Sequence, residues 1–145
     1  MRKYSWLFAA ALFAACAPAK EAEPVAEAPP VPAIADFAGT WNSTATLTGV
    51  ANPVPSTMTV TADGVGSTIT MEGRVAIPVT ISMMGDSLVA VSAEYESILR
   101  KGVMVSTRTA AVLDGGMMKG SLIATYKSTA GPEMVMGTIE SHRAP

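Results

Sequence analysis

The chain carries a single histidine, His142, in the run Ile139-Glu140-Ser141-His142-Arg143. A serine beside a histidine suggests a nucleophile and its base. Neighbours on an extended strand point to opposite faces, however, so Ser141 and His142 cannot pair locally. The carboxylates are scattered. Glu94 and Glu96 share one strand face, which reads as the solvent face rather than an acid–base pair. Methionine is plentiful, with ten in the chain, among them Met83-Met84, Met117-Met118 and the Met134/Met136 couple. Thioethers bind Cu(I) in an oxidising compartment. With no histidine or cysteine cluster to strengthen such a site, they read instead as filler of irregular core gaps. Arg108 lies in the middle of Val105–Val112. Turned inward, its guanidinium would need an anionic partner. Turned outward, it is an ordinary solvated cation. These residues support no catalytic constellation, no metal centre and no cofactor; the expectation is a protein that is not an enzyme.

The elements that position these residues follow from bulk properties. A chain of 145 residues suits one folded domain. Apolar residues make up 49%, enough for a packed core. Charged residues are 15% and the net charge is −2, so no basic excess points to nucleic acid. Aromatic residues are only 6%, too few for a base-stacking platform. Cys16 is the sole cysteine, which excludes an intrachain disulfide and a cysteine-based zinc site.

The first residues read as an address. Arg2 and Lys3 precede an apolar run from Tyr4 to Ala15, too short to span a bilayer and suited to a secretory signal. The run ends Leu12-Phe13-Ala14-Ala15-Cys16. Small residues before a cysteine resemble a bacterial lipobox, with Phe13 where leucine is usual. The resemblance implies that residues 1–15 are removed, that Cys16 is lipidated, and that the mature protein is tethered to the cell envelope. No aspartate follows the cysteine, which by resemblance to proteobacterial sorting implies the outer membrane. Plain secretion into the periplasm is the alternative. Residues 16–36 are rich in proline and alanine and read as an extended spacer.

Residues 37–143 read as an all-β domain. Gly39, Trp41, Ser43, Ala45 and Leu47 alternate with polar Thr40, Asn42, Thr44, Thr46 and Thr48. The same period continues through Met58–Ala62, Ile69–Met71 and Val75–Met83, with Pro78 on the outward face. Val89, Val91, Ala93 and Tyr95 are expected to face inward. Met104–Val112 is ambiguous. Met118–Tyr126 and Val135–Ile139 complete eight strands, the last placing Glu140 and His142 outside. Asp-Gly and Gly-Asp steps predict tight hairpins at one end, at Asp63-Gly64, Gly85-Asp86 and Asp114-Gly115. The intervening connections, at residues 48–56, 95–102 and 127–133, are expected to be longer and to frame a mouth.

Eight antiparallel strands in an up-and-down meander close into a small barrel. Gly39-Thr40-Trp41 at the opening of the first strand resembles the Gly-x-Trp of the calycins: lipocalins, fatty-acid-binding proteins and avidins. The resemblance implies that Trp41 closes the barrel bottom and that Arg143, just past the last strand, packs on it. It also implies a small apolar or amphiphilic ligand, with Arg108, Tyr95 and Tyr126 as candidate contacts. A filled, ligandless barrel serving as envelope scaffold or protein-binding module is the second reading.

Overall fold

The computed structural model describes residues 28–145. The signal segment and Cys16 lie outside the described residues. Nine strands form one antiparallel sheet: β1 (Gly39–Leu47), β2 (Val54–Val60), β3 (Thr68–Thr70), β4 (Ile77–Met84), β5 (Ser87–Ser92), β6 (Tyr95–Glu96), β7 (Met104–Asp114), β8 (Met117–Ser128) and β9 (Gly131–Arg143). Apart from β5 and β6, consecutive strands pair in a meander. β9 returns to β1, and β5 pairs with β7, so the sheet closes on itself. The two-residue β6 continues β5 along the same partner, giving a closed barrel of eight staves. Closure leaves few unpaired backbone groups and no long free edge.

The break between β5 and β6 is a bulge. Val91 faces Arg108 and Tyr95 faces Val105, so three residues oppose two. The Ser92 hydroxyl accepts the amide of Thr107 at 2.8 Å and lies 3.2 Å from its side-chain hydroxyl. One extra residue reverses the inward parity. Leu88 and Ala90 face the core before it, and Tyr95 faces the interior after it. The expected inward set on this strand is therefore corrected. Val91 and Ala93 are exposed; Val89 is buried but alternates with the core-facing Leu88 and Ala90; Tyr95 points inward because the bulge intervenes.

The first strand alternates as its sequence requires, with Trp41, Ser43, Ala45 and Leu47 buried and the threonines between them exposed. Two apolar clusters divide the interior. One surrounds Trp41, Phe37, Met58, Leu88 and Met118 at the end holding both termini. The other gathers Leu47, Val105, Leu122, Tyr126 and Ile139 toward the opposite end. Residues 34–36, expected to be spacer, join Phe37 in a 3₁₀ turn, Ile34–Phe37, whose Phe37 is fully buried. The carboxylate of Asp36 accepts the Ala33 amide at 2.7 Å and steadies that turn. Val75 is 86% exposed and Ala62 is exposed as well, because β4 begins only at Ile77 and β2 ends at Val60.

The connections at each end differ from the expected lengths. Residues 61–67 form a seven-residue loop rather than a tight turn, laced by the Ser67 hydroxyl to the Thr61 amide and the Gly64 carbonyl. Residues 127–133, expected to be a long loop, are instead a two-residue hairpin, with Ser128 opposite Gly131. The remaining mouth connections are residues 48–53, 71–76 and 97–103.

A candidate ligand site inside the barrel

The base of the barrel is sealed. The Trp41 side chain is fully buried, and its indole N–H donates to the Phe37 carbonyl at 2.8 Å. The Arg143 guanidinium lies over the ring, 4.3 Å from its centre. It also donates to the carbonyls of Ala38 at 2.7 Å and Asp36 at 3.0 Å. Gly39 explains its own identity here: its φ is +133°, and a Cβ would sit 2.7 Å from an Arg143 nitrogen. Glycine, indole and guanidinium thus form one closure at the end where the chain enters and leaves.

Above the tryptophan the inward residues become small. Ser43 and Ser141 share a hydrogen bond of 2.7 Å, both buried. Ala45, Ala124, Gly120 and Gly137 occupy inward positions farther up. A belt of small residues between two layers of large ones leaves space. The result is an interior cavity of about 60 Å³.

The walls are apolar with a set of hydroxyls. Ile139, Leu122 and Val105 supply hydrocarbon, while Ser92, Thr107 and Thr109 supply hydroxyls from neighbouring strands β5 and β7. Tyr95 and Tyr126 line the upper part. Among the described residues no charged side chain lines this cavity. Arg108 is exposed on the outer face of β7, because Thr107 and Thr109 take the inward positions. The interior guanidinium considered from sequence is thereby corrected, and Arg108 is a solvated surface cation. His142, Glu94 and Glu96 are likewise exposed, and among the described residues no cluster of three or more metal-binding side chains occurs.

Burial, and secondarily the neighbouring Tyr126, raise the Tyr95 phenol above the ordinary tyrosine range; the nearby Thr107 hydroxyl and the charge of Arg74 pull the other way. The phenol is therefore a neutral hydrogen-bonding group at any physiological pH. The sign of the linkage follows. A raised tyrosine contributes stability that is intact below the unfolded value near 10 and is lost as pH rises through the folded one. Alkaline unfolding of the wild type should steepen above about pH 10, and Tyr95→Phe should flatten it. Urea titrations from pH 9 to 11.5 check this. Identical pH profiles for the two proteins would show that Tyr95 ionises freely.

Sequence reasoning missed three parts of the site. Ser92 and Thr107 meet across the bulge, which no periodicity announces. Arg100, on the 97–103 loop, stacks on the Tyr126 ring at 4.2 Å and pairs with Glu133 at 2.6 and 2.7 Å. The Ser43–Ser141 bridge joins residues far apart in sequence. The serine and threonine pairs share one signal, small polar residues at inward strand positions, whereas Arg100 and Glu133 carry none.

Fold and site together define a small antiparallel barrel with a plugged base, an uncharged interior cavity and a looped mouth. No family model matches the chain, and no curated protein matches it. Among solved structures, it is similar to one described as the bradavidin2–biotin complex. The two are 18% identical over 72% of this chain and 97% of that chain, with a TM-score of 0.47. At that level of likeness nothing about the neighbour's ligand transfers to this cavity.

Proposed function

We propose that the chain is a lipid-anchored envelope protein whose barrel holds one small, uncharged, largely apolar molecule. The observation that carries this reading is the cavity of about 60 Å³, enclosed by a closed barrel and lined without a single charge. A charged ligand buried there would lose its hydration with no ion to replace it. A neutral ligand with one or two polar atoms would meet hydrocarbon on one wall and hydroxyls on another. The Tyr95, Thr107 and Ser92 group is the polar anchor. The base of the barrel faces the tether, so the mouth opens away from the membrane. The anchor itself rests on the lipobox-like Leu12–Cys16 run.

Mass spectrometry under native conditions, on chain purified without detergent, tests the ligand. The expected result is an added mass that vanishes on denaturation. Refilling with the recovered molecule at a hundred times its Kd should raise the melting temperature by about 13 °C, from roughly 2.7 kcal/mol of linkage. Arg108→Gln should leave occupancy unchanged. The filled lower half of the barrel favours the second reading, a ligandless scaffold. A bare mass, with no thermal shift across a panel of neutral apolar compounds, would select it.

A further inference from the structure

We infer that residues 97–103 form a hinged lid over the cavity, held shut by a clasp between Arg100 and Glu133; this rests on reading the cavity as a ligand site. The loop keeps its own shape. The Ser97 amide donates to the Val103 carbonyl at 2.8 Å, and the Val103 amide donates to the Arg100 carbonyl at 3.1 Å. The Ser97 hydroxyl accepts the amides of Leu99 and Arg100 at 3.0 and 3.1 Å. The carboxylate of Glu96 accepts the Gly102 amide at 2.9 Å. Ser97 is buried and Val103 packs on the upper cluster, so both stems are fixed. The tip is different. Ile98 and Leu99 line the cavity from above, yet each is 41% exposed and belongs to neither core cluster.

What ties the tip to another stave is Arg100. Its guanidinium meets both oxygens of Glu133 on β9 and lies across the Tyr126 ring, itself a cavity wall. The side chains of the pair are 39% and 51% exposed. A pair this wet is screened by salt and releases readily. That suits a fastener that must open rather than a fixed strut. A self-contained turn with two anchored stems, an apolar underside and one solvated clasp moves as a unit.

The test uses the mature chain and xenon, a neutral apolar probe small enough for the cavity, with on- and off-rates read by xenon NMR exchange spectroscopy. Glu133 does not line the cavity, so Glu133→Ala opens the clasp without altering the walls. Association and dissociation rates should both rise about two- to fivefold, with Kd nearly unchanged. Raising salt should speed the wild type and leave Glu133→Ala unmoved. The charge-swapped pair Arg100→Glu with Glu133→Arg should slow the exchange again. Probe binding with rates identical in wild type and Glu133→Ala would overturn the lid. If the wild type takes up no probe, the ligand reading suffers and the lid is judged by methyl relaxation dispersion. Greater exchange broadening at Ile98 and Leu99 in Glu133→Ala, with Leu47 on β1 unchanged, upholds it; equal broadening overturns it.

Discussion

Trp41→Ala should lower the unfolding free energy by about 4 kcal/mol, the largest loss expected from any single core truncation in this barrel. For a domain near a hundred residues that corresponds to a fall in melting temperature of about 20 °C. Three contributions combine. The indole is fully buried among Phe37, Met58, Leu88 and Met118, so truncation opens a void at the base. The Phe37 carbonyl loses its donor. Arg143 loses the ring beneath it while its bonds to Ala38 and Asp36 remain. Trp41→Phe separates these terms. It keeps most of the apolar volume but leaves the Phe37 carbonyl unpaired, at a cost of about 1–3 kcal/mol. Urea unfolding followed by circular dichroism reads all three proteins. A Trp41→Ala midpoint within experimental error of wild type would mean that the base is sealed by Phe37 and its neighbours alone, and the plug account would be wrong.

This closure was the part of the fold most legible in the sequence. Gly39 and Trp41 sit on one strand, Arg143 on another, and regular alternation on both assigns them to the same interior. The calycin resemblance adds the expectation that they meet, and the guanidinium does lie over the indole. Strand number and order were equally legible, because turn glycines and threonine alternation mark each stave. What stayed hidden depends on pairing rather than on sequence. The bulge before Tyr95 adds one residue to a strand whose apolar residues fall on both parities: Leu88 and Ala90 on one, Val89 and Val91 on the other. Such a strand has no preferred face until its neighbours impose one. The hairpin at Ser128–Gly131 was hidden for a related reason. Pro132 reads as a loop residue, but on the outer reach of β9 it stands in a strand two residues past the turn. The clasp of Arg100 and Glu133 joins two such regions, so neither residue announced the other. The interior of the site follows the same division. Its small residues were visible as strand positions, whereas the space they leave depends on how sharply the strands curl.

That curl rests on Gly120 and Gly137, and here a second large effect is expected. Neither residue has a positive φ, so the demand for glycine is one of space. A Cβ on Gly120 would lie 1.9 Å from the Ala110 carbonyl oxygen and 2.6 Å from the Ala111 α-carbon. One on Gly137 would lie 2.3 Å from the Thr46 carbonyl oxygen. Both obstacles are backbone of a paired stave, which cannot rotate aside as a side chain can. Gly120→Ala must therefore push β7 away from β8, and Gly137→Ala must push β1 from β9. Either substitution should destabilise the barrel by about 3 kcal/mol, at the upper end for overpacking by one methyl. The exposed Ser121, one residue from Gly120, sets the scale, since Ser121→Ala should shift stability by no more than about 0.5 kcal/mol. Because the two glycines lie beside the cavity layer, at Ile139 and Leu122 respectively, the strain should also reach the ligand site. Probe affinity should fall together with stability in Gly120→Ala, while Trp41→Ala, acting at the base, should lose stability with less effect on affinity among molecules still folded. Equal affinity loss in the two variants would mean that the barrel interior responds as one body, and that the belt of small residues does not by itself shape the cavity.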